Sequence, residues 1–154
     1  MATHPNSFSG GCQCGAVRYH ADMAPQEVHY CHCRMCQRAV GNIFVTLVPV
    51  HKTHLRWQGS PSFFNSSSLA SRGFCANCGT PLSFAYDASE WISVTLGSLD
   101  DPAAMRPELH CGVEAQVPWL DIPDGLPRER TDEGRFPDMV NKQSSQPAVA
   151  DEAG

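Results

Sequence analysis

"CANCGTPLSFAY" (residues 75–86) admits two folds, and the residues after its second cysteine choose between them. In a redox Cys-x-x-Cys the pair opens a helix after a strand, inside a βαβ unit. Here Cys78 runs into "GTPLSFAY", where Leu82, Phe84 and Tyr86 alternate as on a strand. A glycine just past the pair lets the chain turn sharply and aim backbone N–H groups at the sulfurs, which is how a metal knuckle is built. A second knuckle lies upstream in "GGCQCGAV" (10–17). Two thiolates from each make a closed tetrahedral zinc site, so Cys12, Cys14, Cys75 and Cys78 are assigned to a structural zinc. Such an ion ties an N-terminal loop to a distant one and braces a core too small to stand easily alone.

The remaining apolar runs on either side are short and read as strands: 16–20, 42–48, 54–58, 81–86, 91–97 and 108–114. Pro49 is taken as marking a strand end, and "DDPAAMRP" (100–107) as one turn of helix. No segment keeps a helical period for three turns. Twelve glycines and twelve prolines in 154 residues also favour short strands, so an all-β fold is expected. Residues 1–7 read as a flexible start, 8–130 as one zinc-binding domain, and the polar 131–154 as a disordered tail. The start has no signal-peptide pattern, and no apolar run approaches the roughly 20 residues of a membrane helix. The expected compartment is the reducing cytoplasm, where eight cysteines serve as ligands or reactive thiols rather than disulfides. A formal net charge of −5 and the lack of a basic run make a nucleic-acid partner unfavoured.

"YCHCRMCQRAVG" (30–41) supplies three more thiols, Cys31, Cys33 and Cys36. Zinc held by three protein ligands keeps an exchangeable position, the pattern of a working site. Three thiolates leave the ion a weak Lewis acid, better at holding an incoming thiolate than at activating water. The substrate read from these residues is therefore a thiol, whose bound thiolate adds to an aldehyde. Two alternatives stand beside this: Cys111 folds back to close the site, or the three thiols hold no metal at rest or bind it only with substrate present.

Together "GGCQCGAVRY", "CHCRMCQRAVG", "SRGFCANCGTPLSF", "WISVTLGSLDDP" and "HCGVEAQVPWLDIPDGLP" resemble the glutathione-dependent formaldehyde-activating enzyme family, which includes centromere-protein-V-like proteins. The resemblance covers about 8–128. It implies an Mss4-like fold, a β-tent of packed antiparallel sheets around zinc knuckles. It implies one zinc on Cys12, Cys14, Cys75 and Cys78 and a second on Cys31, Cys33 and Cys36. The implied reaction is reversible addition of glutathione to formaldehyde, giving S-hydroxymethylglutathione, a carbon–sulfur lyase chemistry.

Glutathione carries two carboxylates, so Arg34, Arg38 and Arg72 are its candidate cations, against the plainer reading of ordinary surface arginines. His32, inside the cluster, is the candidate proton donor; His29 and His110 are weaker ones. The competing functions are a non-catalytic zinc module for protein or nucleic-acid binding, and a thiol-based metal buffer.

Overall fold

The computed structural model describes residues 2–131. Eleven strands and one α-helix occur among them: β1 (Phe8–Gly11), β2 (Arg18–Ala21), β3 (His29–Cys31), α1 (Arg34–Val40), β4 (Val45–His51), β5 (Leu55–Gln58), β6 (Ser62–Asn65), β7 (Ala70–Phe74), β8 (Pro81–Tyr86), β9 (Trp91–Thr95), β10 (Leu109–Cys111) and β11 (Arg128–Glu129). They form a three-stranded sheet, β1-β2-β5, and an eight-stranded sheet in the order β11-β10-β3-β4-β9-β8-β7-β6. The all-β fold holds. The sheets are not purely antiparallel, because β10 runs parallel to both β3 and β11.

The main core draws on both sheets. Val17, Tyr19, Ala21 and Leu55 pack with Val48, Val50, Leu82, Ile92 and Val94. Alternation on β9 buries Ile92 and Val94, as the period-two pattern requires. A smaller cluster gathers Cys31, Cys36, Val45 and Leu47, with Val40 against it, between α1 and the long sheet.

Several boundaries differ from the sequence reading. β4 starts three residues later than expected and continues through Pro49 to His51. A proline is tolerated there because β4 outruns β3: the pairing ends at His29 opposite Leu47, while β9 pairs on to His51. The expected strand at 108–114 shortens to β10, since Gly112 turns left-handed into a 3-10 turn at Val113–Ala115. The helical turn expected within 100–107 is a 3-10 turn at Pro102–Ala104. Near the start, Ala2 donates its N–H to Glu108 at 3.2 Å. The tail expected at 131–154 lies outside the described residues beyond Thr131.

Tyr19 gives the core a pH signature. Burial pushes its phenol up to about 12, and its hydroxyl meets that of Ser98 at 2.7 Å. A phenol raised above its unfolded value of about 10 favours the fold while neutral. Its contribution is complete below pH ~10 and is lost as pH rises through ~12, about 3 kcal/mol in all. Tyr19→Phe should flatten stability over that window in denaturant melts at stepped pH. An unchanged alkaline slope would contradict the assignment.

Candidate metal centres

The first cluster is built by two matching loops. Cys12 accepts at its carbonyl from Gly15 N–H (3.2 Å), and Cys75 from Gly79 N–H (2.7 Å). Both glycines are left-handed, with φ +80° and +79°, the conformation a side chain resists. The loops bring the sulfurs of Cys12, Cys14, Cys75 and Cys78 within 4.8 Å of one another. Cys12 and Cys14 lie 3.5 Å apart, Cys14 and Cys75 3.8 Å. Donors are trained on the sulfurs: Val17 N–H on Cys12 (3.3 Å), Asn77 Nδ2 on Cys14 (3.3 Å) and the Thr80 hydroxyl beside Cys78 (3.2 Å). The Thr80 side chain and backbone, with the backbone of Cys14, bring the Cys78 thiol down to about 5. Four thiols so supported suit a closed tetrahedral site for a soft divalent ion such as zinc.

The second cluster sits where β3 hands over to α1. Cys31 ends the strand and Cys33 caps the helix, its sulfur accepting from Cys36 N–H at 3.4 Å. Cys36 lies in the first turn, and the three sulfurs fall within 4.8 Å of one another. Cys31 and Cys36 are buried and Cys33 is half-buried, so the set opens outward on one side only. The thiols of Cys31 and Cys33, followed by Arg72, hold Cys36 well below the usual thiol range. Cys31, bonded to the other two and buried, is pushed well above it. The cluster thus already favours one thiolate, at Cys36. Three thiols with one open side fit an ion that keeps a vacant position.

Arg72 comes from β7. Arg72 is 6% exposed; its guanidinium donates from Nη2 to the Cys36 sulfur at 3.5 Å and lies over the Phe84 ring at 4.8 Å. It also lines a cavity of about 230 Å³ between α1 and the β7–β8 hairpin. Arg34 and Arg38 are exposed on α1, and Arg34 bonds Gln37. Of the three arginines read from the sequence, the structure brings Arg72 alone against a cluster sulfur.

The His32 ring is fully buried and turned to another partner. Its Nε2 meets His110 Nδ1 at 2.8 Å, and His110 Nε2 meets Asp124 at 2.8 Å. Asp124 accepts from His110 Nε2–H, which leaves His110 Nδ1 to accept from His32. Gln37 ties the β3–α1 link in place, donating to His32 O (2.6 Å) and Ala115 O (2.9 Å). His29 bonds the Glu27 carbonyl. Cys111 stands opposite Cys31 in the β10–β3 register and is not one of the three gathered sulfurs. Sequence reasoning does not reach Asp124. Its link to His110 exists only once 122–126 has folded back past β10.

Gly112 lets β10 approach this site. It has φ +66°, and a Cβ there would stand 2.8 Å from Cys33 N. Gly112→Ala should cost about 1–3 kcal/mol and displace Cys33. Denaturant midpoints and bound metal per chain check this; wild-type values for both would refute it.

The geometry defines a β-rich knuckle domain with one closed four-thiol set and one open three-thiol set. The family model for the glutathione-dependent formaldehyde-activating enzyme matches residues 7–115, and the chain belongs to that family. An uncharacterized lyase of Schizosaccharomyces pombe (strain 972) is 33% identical over 79 residues, 51% of this chain. The chain spans 58% of the length of that curated relative. A crystal structure of a Rhodobacter sphaeroides protein aligns with a TM-score of 0.49 at 18% identity, covering 79% of this chain and 99% of that one.

Proposed function

We propose that the protein is a zinc-dependent carbon–sulfur lyase-type enzyme that reversibly joins glutathione and formaldehyde into S-hydroxymethylglutathione. The observation that carries this is the open three-thiol cluster with a buried arginine against one sulfur. Membership of the family and the lyase name of the yeast relative support it. Zinc on Cys31, Cys33 and Cys36 would supply a vacant position and the positive charge that keeps a substrate thiol deprotonated.

The chain's own residues divide the remaining work. Cys12, Cys14, Cys75 and Cys78 would hold a second, structural zinc. Arg34 and Arg38, exposed on α1, take the glutathione carboxylates. Arg72 offsets the charge of the cluster. His32 is a positioning residue, because its Nε2 is engaged by the His110–Asp124 pair, which fixes the link between Cys31 at the end of β3 and Cys33 at the cap of α1. In the reaction the thiolate sulfur forms the carbon–sulfur bond and the carbonyl π pair moves to oxygen. The proton released by the thiol returns to that oxygen through solvent, so nothing is oxidised or reduced. Reduced thiols in both sets match a cytoplasmic setting. Among the described residues no helix is long and apolar enough to cross a membrane.

Zinc analysis of the purified protein should give about two ions per chain. Glutathione at millimolar level should change the environment of one of them, seen by X-ray absorption or by cobalt substitution. Formaldehyde consumption should rise with the same half-saturation. If glutathione moves neither the metal spectrum nor formaldehyde loss, the proposed reaction is excluded.

A further inference from the structure

Formaldehyde has two heavy atoms and fills about the space of two waters, roughly 60 Å³. The cavity beside the second cluster holds about 230 Å³. It exceeds the ~150 Å³ that suffices for a benzene ring in an engineered apolar cavity. Its wall is mostly apolar, with Val40, Val45, Leu47, Phe64, Phe74 and Phe84 contributing. Val40, Val45 and Leu47 also pack against Cys31 and Cys36, so cavity and thiols share a wall. The polar groups there are few. Thr95 spends its hydroxyl on Pro81 O and Ser98, which leaves Ser83 and Arg72 as the side chains able to greet a ligand. A tripeptide thiol with two carboxylates does not match such a wall. A small hydrocarbon group does.

Arg72 is placed between the two. One of its N–H groups meets Cys36, and the plane rests on Phe84. A guanidinium has five donors, so others remain for an oxygen entering from the cavity side. Addition of a thiolate to a carbonyl creates negative charge on that oxygen, and a fixed donor in a desolvated site stabilises such charge.

Resting on the thiol–aldehyde reading above, we infer that the same site also takes, in preference to formaldehyde, aldehydes with an apolar chain or ring, seated in this cavity with the oxygen on Arg72. The sulfur of the thiol forms the bond to the aldehyde carbon, and the carbonyl π pair goes to the oxygen facing Arg72. That oxygen takes the proton the thiol gave up, yielding a hemithioacetal. At roughly 30 Å³ per heavy atom, a cavity of about 230 Å³ has room for about eight heavy atoms, enough for pentanal or benzaldehyde.

The test uses the zinc-loaded full chain at fixed glutathione. Hemithioacetal exchange is followed by NMR for formaldehyde, propanal, pentanal and benzaldehyde, each corrected for its uncatalysed rate. The expected result is a kcat/KM at least tenfold higher for pentanal or benzaldehyde than for formaldehyde. Ala39→Phe, which fills the cavity from α1, should lower that ratio at least tenfold. A binding measurement needs no variant: the ¹⁹F signal of 4-fluorobenzyl alcohol should shift saturably with protein, and pentanal should displace it. Formaldehyde turned over as well as or better than the apolar aldehydes overturns this inference and leaves the lyase reading standing. So does a benzyl thiol that outcompetes glutathione while aldehyde size has no effect, since the cavity then serves the thiol. Turnover of no aldehyde overturns the lyase reading, and this inference falls with it.

Discussion

Cys75→Ala is expected to abolish the cooperative unfolding transition, while Cys33→Ala melts close to wild type and turns over no substrate. Cys75 is 1% exposed and belongs to the apolar core as well as to the four-thiol set. Its knuckle meets the N-terminal one across two loops, tied by Gln13 N–H on the Thr80 hydroxyl at 3.0 Å and by Asn77 Nδ2 on the Cys14 sulfur at 3.3 Å. A structural zinc contributes about 10–16 kcal/mol of apparent binding energy in zinc-finger peptides, against a typical domain stability of ~5–15 kcal/mol. Losing a ligand therefore removes an amount comparable with the whole stability. Cys33 differs in both respects. It is half-buried, and what its sulfur gives the fold is one cap on a seven-residue helix. An N-cap is worth about 1 kcal/mol. Thermal melts by circular dichroism, with zinc counted in each variant, separate the cases. One zinc and a native-like melt are expected for Cys33→Ala, and no sharp melt for Cys75→Ala. Equal loss of structure in both would end the division into a bracing set and a working set.

How much the sequence makes legible depends on how local each signal is. The thiol sets are readable because metal knuckles need fixed short spacings and a glycine beside them; both gatherings match the residues named from spacing. β9 is readable because burial on one side imposes alternation on Ile92 and Val94, and β8 because Leu82, Phe84 and Tyr86 alternate in sequence, although Leu82 and Ser83 are both buried. Helix α1 is too short for a periodicity argument. Its signals are its ends: the Cys33 sulfur acts where serine commonly does, and Gly41 stops the helix in a left-handed turn with its N–H on Gln37 O. Those signs stand in "CRMCQRAVG" but are outweighed by the cysteine count. β6 is hidden for another reason. Phe63 and Phe64 are adjacent and both exposed on an edge strand, so no alternation survives. The His32–His110–Asp124 chain is unreadable because it depends on a parallel pairing between β3 and β10, segments 78 residues apart at His32 and His110. Only tertiary structure joins them. Arg72 is legible by its charge alone; that it lies buried against Cys36, while Arg34 and Arg38 stay outside, comes from the β7–β8 pairing that lays it over Phe84.

That burial gives the second large prediction. Cys36→Ala should destabilise the domain by about 3–5 kcal/mol, well beyond Cys33→Ala, although each variant loses the same zinc. The extra cost comes from Arg72. Among the hydrogen bonds of the described residues, its guanidinium donates to the Cys36 sulfur, and little of it reaches solvent. Removing one partner of a buried charged pair leaves the other without compensation, a loss of ~3–5 kcal/mol. Replacing both partners is far milder, because the orphaned charge leaves as well. Cys36→Ala/Arg72→Met should therefore recover more than half of the stability lost by Cys36→Ala, since methionine fills the space against Phe84 without a charge. Arg72→Met alone should weaken zinc at the three-thiol set by about tenfold to a hundredfold, the usual effect of losing a group that supports a metal ligand. Its cause here is net charge: three thiolates on a divalent ion sum to −1, and the guanidinium returns the site to neutrality. Denaturant melts of the four members of this cycle give the coupling directly, expected near the upper part of the ~0.5–3 kcal/mol range for contacting residues. A double variant no more stable than Cys36→Ala would show that Arg72 is not held by the thiolate, and the electrostatic account of the open site would fail with it.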